Sequence, residues 1–321
     1  MIKKNELDAL VYLLDDTDEE VVTQVMDRIL SLGKEVIPYL EEEWGPALNE
    51  LQQERIEDIV HQIQFDAVKS ELQAWVDTKE QDLFNGICIL SKYQYPNLDV
   101  QAIDNQINKI KLDVWLELNY DLTSLEKVKI INRIFYETHG FSGNISNYHS
   151  PANSFINTVL ENKKGNPITL AIIYSIVAQR LNIPIFGVNL PQHFVLAYKD
   201  DIQLETADTI DQESRLNPEM KGNILFYINP FNKGLVFTRA NIEAFLKQLD
   251  IKPNDLFFEP CANIEILKRV LRNLAYAYST NDQKNRLDEL SELMTILGGE
   301  LNINSDNDEF GEDDEDDLGF N

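Results

Sequence analysis

Cysteine is scarce in this sequence: Cys88 and Cys261 are the two copies in 321 residues, and they stand far apart. Neither has a neighbour at the spacing of a metal site, so the sequence predicts no disulfide framework and no structural zinc. Histidine is also rare, with four residues, and none has a ligand partner at useful spacing. We therefore expect no metal and no cofactor. Two unpaired thiols suit a reducing, cytoplasmic compartment.

Basic residues are outnumbered, with 28 lysines and arginines against 55 acids and a formal net charge of −27. A phosphate polymer or an anionic membrane would be repelled, so we expect neither nucleic acid nor membrane as a partner. Nine acids and no bases lie in the last stretch, 301–321, which we expect to be a disordered acidic tail. The tail is interpreted as a solubilising extension, with an acidic docking segment for a basic partner as the alternative.

Long apolar runs are missing as well. The sequence has no stretch of about 18 apolar residues, which is the length needed to span a bilayer. The N-terminal sequence, MIKKNELDALVYLLDD, becomes acidic before any long apolar segment, which is not the pattern of a secretory signal.

Helical periodicity dominates the first hundred residues. Leu7, Leu10, Val11 and Leu14 fall at helical spacing, and similar stripes recur up to Trp75. The run LLDDTDEEVVTQVMDRILSLGKEVIPYL resembles one HEAT-type helical pair, although no clean repeat period is present. A plain helical bundle is the alternative.

The centre of the chain predicts a different architecture. Asn166 and Pro167 form a strong helix start, because Asn caps free N–H groups and Pro suits the first helical position. The following stretch, ITLAIIYSIVAQRL, is apolar nearly all round and predicts a buried helix. Strands are predicted at 185–189, 193–198 and 223–228, so the class is α+β.

Pattern breaks divide the chain into four parts. Residues 1–100 are predicted to be a helical, HEAT-like domain and 101–240 the α+β core. Helices predicted at 264–278 and 283–297 form a TPR-like hairpin within 241–300. The acidic tail follows.

The core resembles a known family. Its run NYHSPANSFINTVLENKKGNPITLAIIYSIVAQRLNIPIFGVNLPQHFVLAY, with YINPFNKG downstream, is similar to the SirB-type branch of the transglutaminase-like (papain-like) superfamily. The resemblance covers roughly residues 120–240. It implies a transglutaminase-like core, a buried helix on an antiparallel sheet, with all-α extensions on both sides. The elements that carry it are Asn153-Ser154-Phe155, Gly165-Asn166-Pro167-Ile168, Gly187-Val188-Asn189, Pro191 before His193-Phe194, and Asn229-Pro230-Phe231.

The resemblance also implies where a catalytic triad would lie. Active members of the superfamily use Cys, His and Asp, with the Cys at the start of the buried helix. A gapless alignment of that helix places the nucleophile position on Pro167, which has no nucleophilic atom. His193 matches the triad histidine and Asn229 the acid. Loss of a triad nucleophile costs on the order of a million-fold in turnover.

Other residues offer no clear replacement. Thr169 lies two residues into the helix, rotated about 200° from Pro167, and its hydroxyl is expected to satisfy first-turn N–H groups. Cys88 belongs to another predicted domain. Glu205 and Asp208 are interpreted as part of a solvated loop in an insertion over 200–221, which could shape the cleft.

Three hypotheses remain open. The favoured one is a non-catalytic protein that binds a peptide or protein through His193, Asn229, Asn166 and Gln192. The alternative is a weak hydrolase or amidase with His193 as general base and Asn229 as its orienter. In the third, the core is only structural and side chains fill the cleft. The sequence leaves oligomeric state and partner identity open.

Overall fold

A computed structural model describes residues 4–44, 48–199, 223–280 and 283–301. The candidate carboxylates Glu205 and Asp208, the predicted insertion over 200–221 and the acidic tail after Leu301 lie outside these described residues.

Helices make up most of the described chain, and a small antiparallel sheet stands near its middle. The α-helices are α1 (Lys4–Leu13), α2 (Glu19–Leu30), α3 (Ile37–Glu43), α4 (Glu50–Val76), α5 (Leu83–Lys92), α6 (Val100–Trp115), α7 (Ser124–Asn132), α8 (Ile156–Asn162), α9 (Pro167–Gln179), α10 (Arg239–Gln248), α11 (Asn263–Ser279) and α12 (Lys284–Ile296). The strands are β1 (Ser142–Gly143), β2 (Lys164–Gly165), β3 (Ile185–Asn189), β4 (Phe194–Lys199), β5 (Ile224–Asn229) and β6 (Leu235–Phe237).

The long helix α4 connects the N-terminal helices to the rest of the protein. A capping box of Asn49 and Gln52 starts it. Its first half packs Ile56, Ile59 and Ile63 with α1, α2 and α3, and its second half enters the main hydrophobic core. The domain division near residue 100 and the HEAT-like and TPR-like assignments stay predictions.

Helix α9 is buried along almost its entire length, as its apolar sequence predicts. It packs against β3 and β4 of a four-stranded sheet with the order β3-β4-β5-β6, in which all neighbours are antiparallel. Three of these strands begin within one residue of their predicted positions, whereas the three-residue strand β6 was not predicted. The predicted α+β class, an antiparallel sheet with helical extensions around it, is confirmed.

The two faces of the sheet meet different partners, because side chains alternate along a strand. Phe194, Leu196 and Tyr198 of β4 join the main core with α9. Val195 and Ala197 join a smaller cluster on the opposite face, with Phe245 and other residues of α10. We call these the α9 face and the α10 face.

The C-terminal helices close one side of the main core. Helix α11 packs against α5, α9 and the short turn Pro151–Ser154, and α12 packs against α11 and α4. His61 and Tyr93 both contact the carboxylate of Glu289 in α12. In the described residues, no helix is long and apolar enough to cross a membrane.

Candidate functional site

A cleft of about 500 Å³, counted with its open mouth, lies at the amino end of α9. Four parts of the chain meet there: the 148–154 loop, the first residues of α9, the turn before β4 and one side of α11. Its described lining residues are Tyr148, His149, Ser150, Ser154, Asn166, Pro167, Ile168, Gln192, Phe194, Arg269, Asn273, Tyr276 and Ala277.

Asn166 fixes the start of α9. Its Oδ1 accepts the Thr169 N–H at 2.9 Å, and its Nδ2 donates to Ser154 Oγ at 3.0 Å. Pro167 occupies the first helical position and faces the cleft. The hydroxyl of Thr169 is fully buried and has no hydrogen-bond partner among the described residues. The prediction that it satisfies first-turn N–H groups is therefore wrong, because Asn166 performs that role.

Asn153 holds the loop that forms one wall. Its Nδ2 donates to the carbonyl oxygens of Asn147 and Tyr148 at 2.7 and 2.8 Å, and its Oδ1 accepts from Asn144 at 2.8 Å. The loop thereby presents Tyr148 and His149, and the His149 ring lies 5.1 Å from that of Tyr276 on the far wall.

Helix α11 supplies the wall that sequence reasoning missed. Arg269, Asn273 and Tyr276 follow one another at helical spacing and all line the cleft. Arg269 is 4% exposed, and its Nη1 donates to Asn189 Oδ1 and the Leu190 carbonyl. The available signal was a stripe of polar residues on a helix whose other buried positions are apolar.

His193 does not line this cleft. It directly precedes β4, two residues before Val195, so strand alternation assigns it to the same face as Val195. Its ring centroid lies 4.8 Å from that of Phe245 on the α10 face. Burial, followed by the charge of Arg269, lowers the pKa of His193 to about 4. His193 is therefore not among the described residues that line the cleft with Pro167, whereas its neighbours Gln192 and Phe194 do line it.

Asn229 is engaged in its own turn. Its Oδ1 accepts the N–H groups of Phe231 and Asn232 at 3.0 and 3.2 Å, and it is 3% exposed. In the same motif, the Pro230 carbonyl accepts the Tyr136 hydroxyl at 2.8 Å. The Phe231 ring packs edge-on against Tyr148 of the cleft wall. Asn-Pro-Phe therefore supports the cleft from outside, and Asn229 does not line it.

The two thiols lie away from the cleft. Cys88 is buried in α5 and Cys261 is half-buried ahead of α11, and neither is in a disulfide. Burial raises the pKa of each thiol to about 12, so both are protonated at neutral pH. Among the described residues, no group of three or more His, Cys, Asp or Glu side chains is placed to hold a metal.

Comparison with known proteins identifies the core. A family model described as the Transglutaminase-like superfamily matches residues 101–272. A UPF0162 protein of Xylella fastidiosa (strain Temecula1) is 29% identical over 221 residues, which cover 66% of this chain and 70% of that protein. A UPF0162 protein of Vibrio cholerae is 25% identical over 53% of this chain and 55% of its own length.

A eukaryotic relative matches a shorter stretch. F-box only protein 21 of Mus musculus is 30% identical over 118 residues, which are 37% of this chain and 17% of that protein. No solved structure matches the chain. The family match spans more than half of the chain and includes the buried helix, the sheet and most of α11, so the chain belongs to the transglutaminase-like superfamily.

Proposed function

We propose that this chain is a non-catalytic transglutaminase-like protein whose cleft binds a peptide or a segment of a partner protein. One observation carries the proposal: Pro167 lines the cleft at the position where the resemblance places a nucleophile, and the aligned His193 lies on the other face of the sheet. A thiol acting with a histidine needs the two groups within hydrogen-bond reach.

The lining suits a binding role. Tyr148, His149, Phe194 and Tyr276 offer ring surface, which gives large contact area at low cost in side-chain entropy. Gln192 and Asn273 add amide groups on the lining that suit a peptide backbone, and Asn166 fixes the helix start beside them. Of the proposed binding residues, Asn166 and Gln192 line the cleft, whereas His193 and Asn229 act, in this proposal, as supports behind it.

The hydrolase hypothesis lacks comparable support. His193 does not face the cleft, and its lowered pKa makes it a weak base. The amide oxygen of Asn229, which would orient it, accepts two backbone N–H groups instead.

The wider assignments belong to the same proposal. The motifs quoted above favour the SirB-type branch, and HEAT-like helices over 1–100 with a TPR-like hairpin over 241–300 would add surface for protein partners. The net charge of −27 favours a protein partner over nucleic acid. Unpaired thiols favour the cytoplasm.

Selection from a random peptide library on the immobilised full chain tests the binding role. Affinities of selected peptides would be measured for wild type, for Tyr276→Ala in the cleft and for Tyr12→Ala, which removes a 78% exposed tyrosine elsewhere. We expect Tyr276→Ala alone to weaken binding about tenfold or more. Equal affinities in the two variants would contradict the proposal.

The non-catalytic part has its own test. Selected peptides would be incubated with the chain and analysed by mass spectrometry, with a thiol-directed warhead added in parallel. We expect unchanged peptide masses and no labelling of the native chain, because both thiols are protonated and outside the cleft. Turnover, or covalent trapping at the cleft, would overturn it.

A further inference from the structure

The cleft differs in charge from the rest of the chain. Acids outnumber basic residues by 55 to 28 in the sequence. Yet no described residue that lines the cleft carries a carboxylate, whereas Arg269 and His149 are basic. A pocket whose described lining has no acids, in so acidic a protein, favours a ligand with negative charge.

Two features of the cleft can bind a carboxylate. The amino end of α9 carries the positive end of a helix of 13 residues, and Asn166, Pro167 and Ile168 at that end line the cleft. Arg269 of α11 lines the same cleft and contributes a positive charge there, although it is 96% buried and its Nη1 donates to Asn189 and Leu190. Guanidinium groups bind carboxylates through charge-assisted hydrogen bonds.

A third feature is an amide on the same wall. The Oδ1 of Asn273 is buried and has no hydrogen-bond partner among the described residues. Asn273 stands one turn after Arg269 on α11 and lines the cleft. This buried acceptor without a described partner costs free energy, so Asn273 is a polar position on the cleft wall that the described residues leave unsatisfied.

The chain itself carries an acidic segment directly after the last described residue. The described residues end at Leu301, just after α12, and Gly299 lies against the Lys268 side chain of α11. Lys268 directly precedes Arg269, and Tyr276 is about 12 Å further along the helix at 1.5 Å per residue. The 20 residues of 302–321 can span up to about 66 Å when extended, so the segment can reach the cleft.

We propose that the acidic segment 302–321 of this chain docks in the cleft, with its carboxylates at Arg269 and the amino end of α9. The proposal rests on the binding role proposed above and makes the segment an intramolecular competitor of the partner peptide. Because the segment belongs to the same chain, its effective concentration at the cleft is on the order of millimolar, so weak contacts suffice to occupy the cleft.

The test uses a fluorescent synthetic peptide with the sequence of 302–321 and two full-length chains. One is wild type, and the other has a neutral tail, with all nine acids of the segment changed to amides: D306N, D308N, E309Q, E312Q, D313N, D314N, E315Q, D316N and D317N. We expect the neutral-tail chain to bind the peptide at least about tenfold more tightly, because its cleft has lost its own occupant. Equal binding by both chains would overturn the proposal.

Location is tested with matched variants in the neutral-tail chain. Asn273→Asp places a carboxylate in the cleft. Asn157→Asp is the control, because Asn157 does not line the cleft. Like Asn273, Asn157 has a buried Oδ1 without a partner among the described residues. We expect Asn273→Asp to weaken peptide binding about tenfold and Asn157→Asp to leave it unchanged. Gln192→Glu, at another cleft residue, is the second variant in case Asn273→Asp does not fold, and it should weaken peptide binding in the same way. Unchanged affinity in the cleft variants would place the segment elsewhere.

The same assay separates the two proposals. If library-selected peptides bind the cleft and the tail peptide does not, the tail proposal alone fails. If neither binds the neutral-tail chain, the binding function itself fails.

Discussion

The two faces of the four-stranded sheet show how closely related sequence positions take different roles. On the α9 face, Phe194 packs in the main core and forms part of the cleft. On the α10 face, His193 packs against Phe245 beside a smaller apolar cluster. The two residues are adjacent in the motif that marks the family resemblance. A histidine aligned with a catalytic one therefore needs the correct strand parity, as well as the correct position, to act.

The largest expected effect comes from the α9 face. Phe194→Ala should lower the free energy of unfolding by about 4 kcal/mol, because it removes a buried ring and leaves a cavity. Phe245→Ala, at 8% exposure on the α10 face, should cost about 3 kcal/mol.

Urea unfolding measures both losses, and peptide affinity of the folded variants distinguishes the faces. Only Phe194→Ala should change binding. A change caused by Phe245→Ala alone would contradict the assignment of the cleft to the α9 face.

His193 should make stability depend on pH. Its pKa of about 4 in the folded state lies below the ordinary value near 6.5, so the unfolded chain binds more protons between these values. The contribution of His193 is present above about pH 6.5 and is lost as pH falls toward 4, by about 3 kcal/mol in total.

Urea unfolding of wild type and His193→Gln between pH 7 and 4 isolates this term from the carboxylates, which titrate in both proteins. Wild type should lose about 3 kcal/mol more than the variant. Parallel pH profiles would show that His193 is not held neutral by the α10 face.

Asn166 should matter less, since it is a helix cap. Asn166→Ala removes the acceptor for the Thr169 N–H and the donor to Ser154, and we expect a loss of about 1 to 2 kcal/mol. Asn166→Asp keeps a cap acceptor and should recover most of that loss. Thermal unfolding compares the three proteins, and equal loss in Asp and Ala variants would contradict the capping role.

The smallest expected effect is a gain. Thr169→Val keeps the shape of a fully buried side chain and removes a hydroxyl without a described partner, so it should stabilise the fold by about 1 kcal/mol. Ser175→Ala is the control, because the Ser175 hydroxyl donates to the Ile172 carbonyl at 3.0 Å. A destabilising effect of Thr169→Val in urea unfolding would indicate that its hydroxyl has a partner.

Local patterns allowed much of the fold to be predicted. Asn166 and Pro167 mark the start of α9, and its apolar sequence indicates burial, because capping and burial depend on nearby residues. The cleft could be predicted only on one side. Arg269 and Asn273 come from a helix about 100 residues further along the chain, and no local rule reports which helices meet there. The sequence shows that His193 and Phe194 face opposite sides of the sheet, since Phe194, Leu196 and Tyr198 alternate with smaller residues. It does not show which of the two sides forms the cleft, because that depends on the tertiary structure.

The affinity of one selected peptide for Gln192→Gly and His193→Gln tests the central claim most directly. These neighbouring residues lie on opposite faces, and glycine suits the positive φ of 60° at Gln192. If the cleft on the α9 face is the binding site, Gln192→Gly should weaken binding about tenfold and His193→Gln should leave it unchanged. Weakened binding in His193→Gln with normal binding in Gln192→Gly would contradict the account.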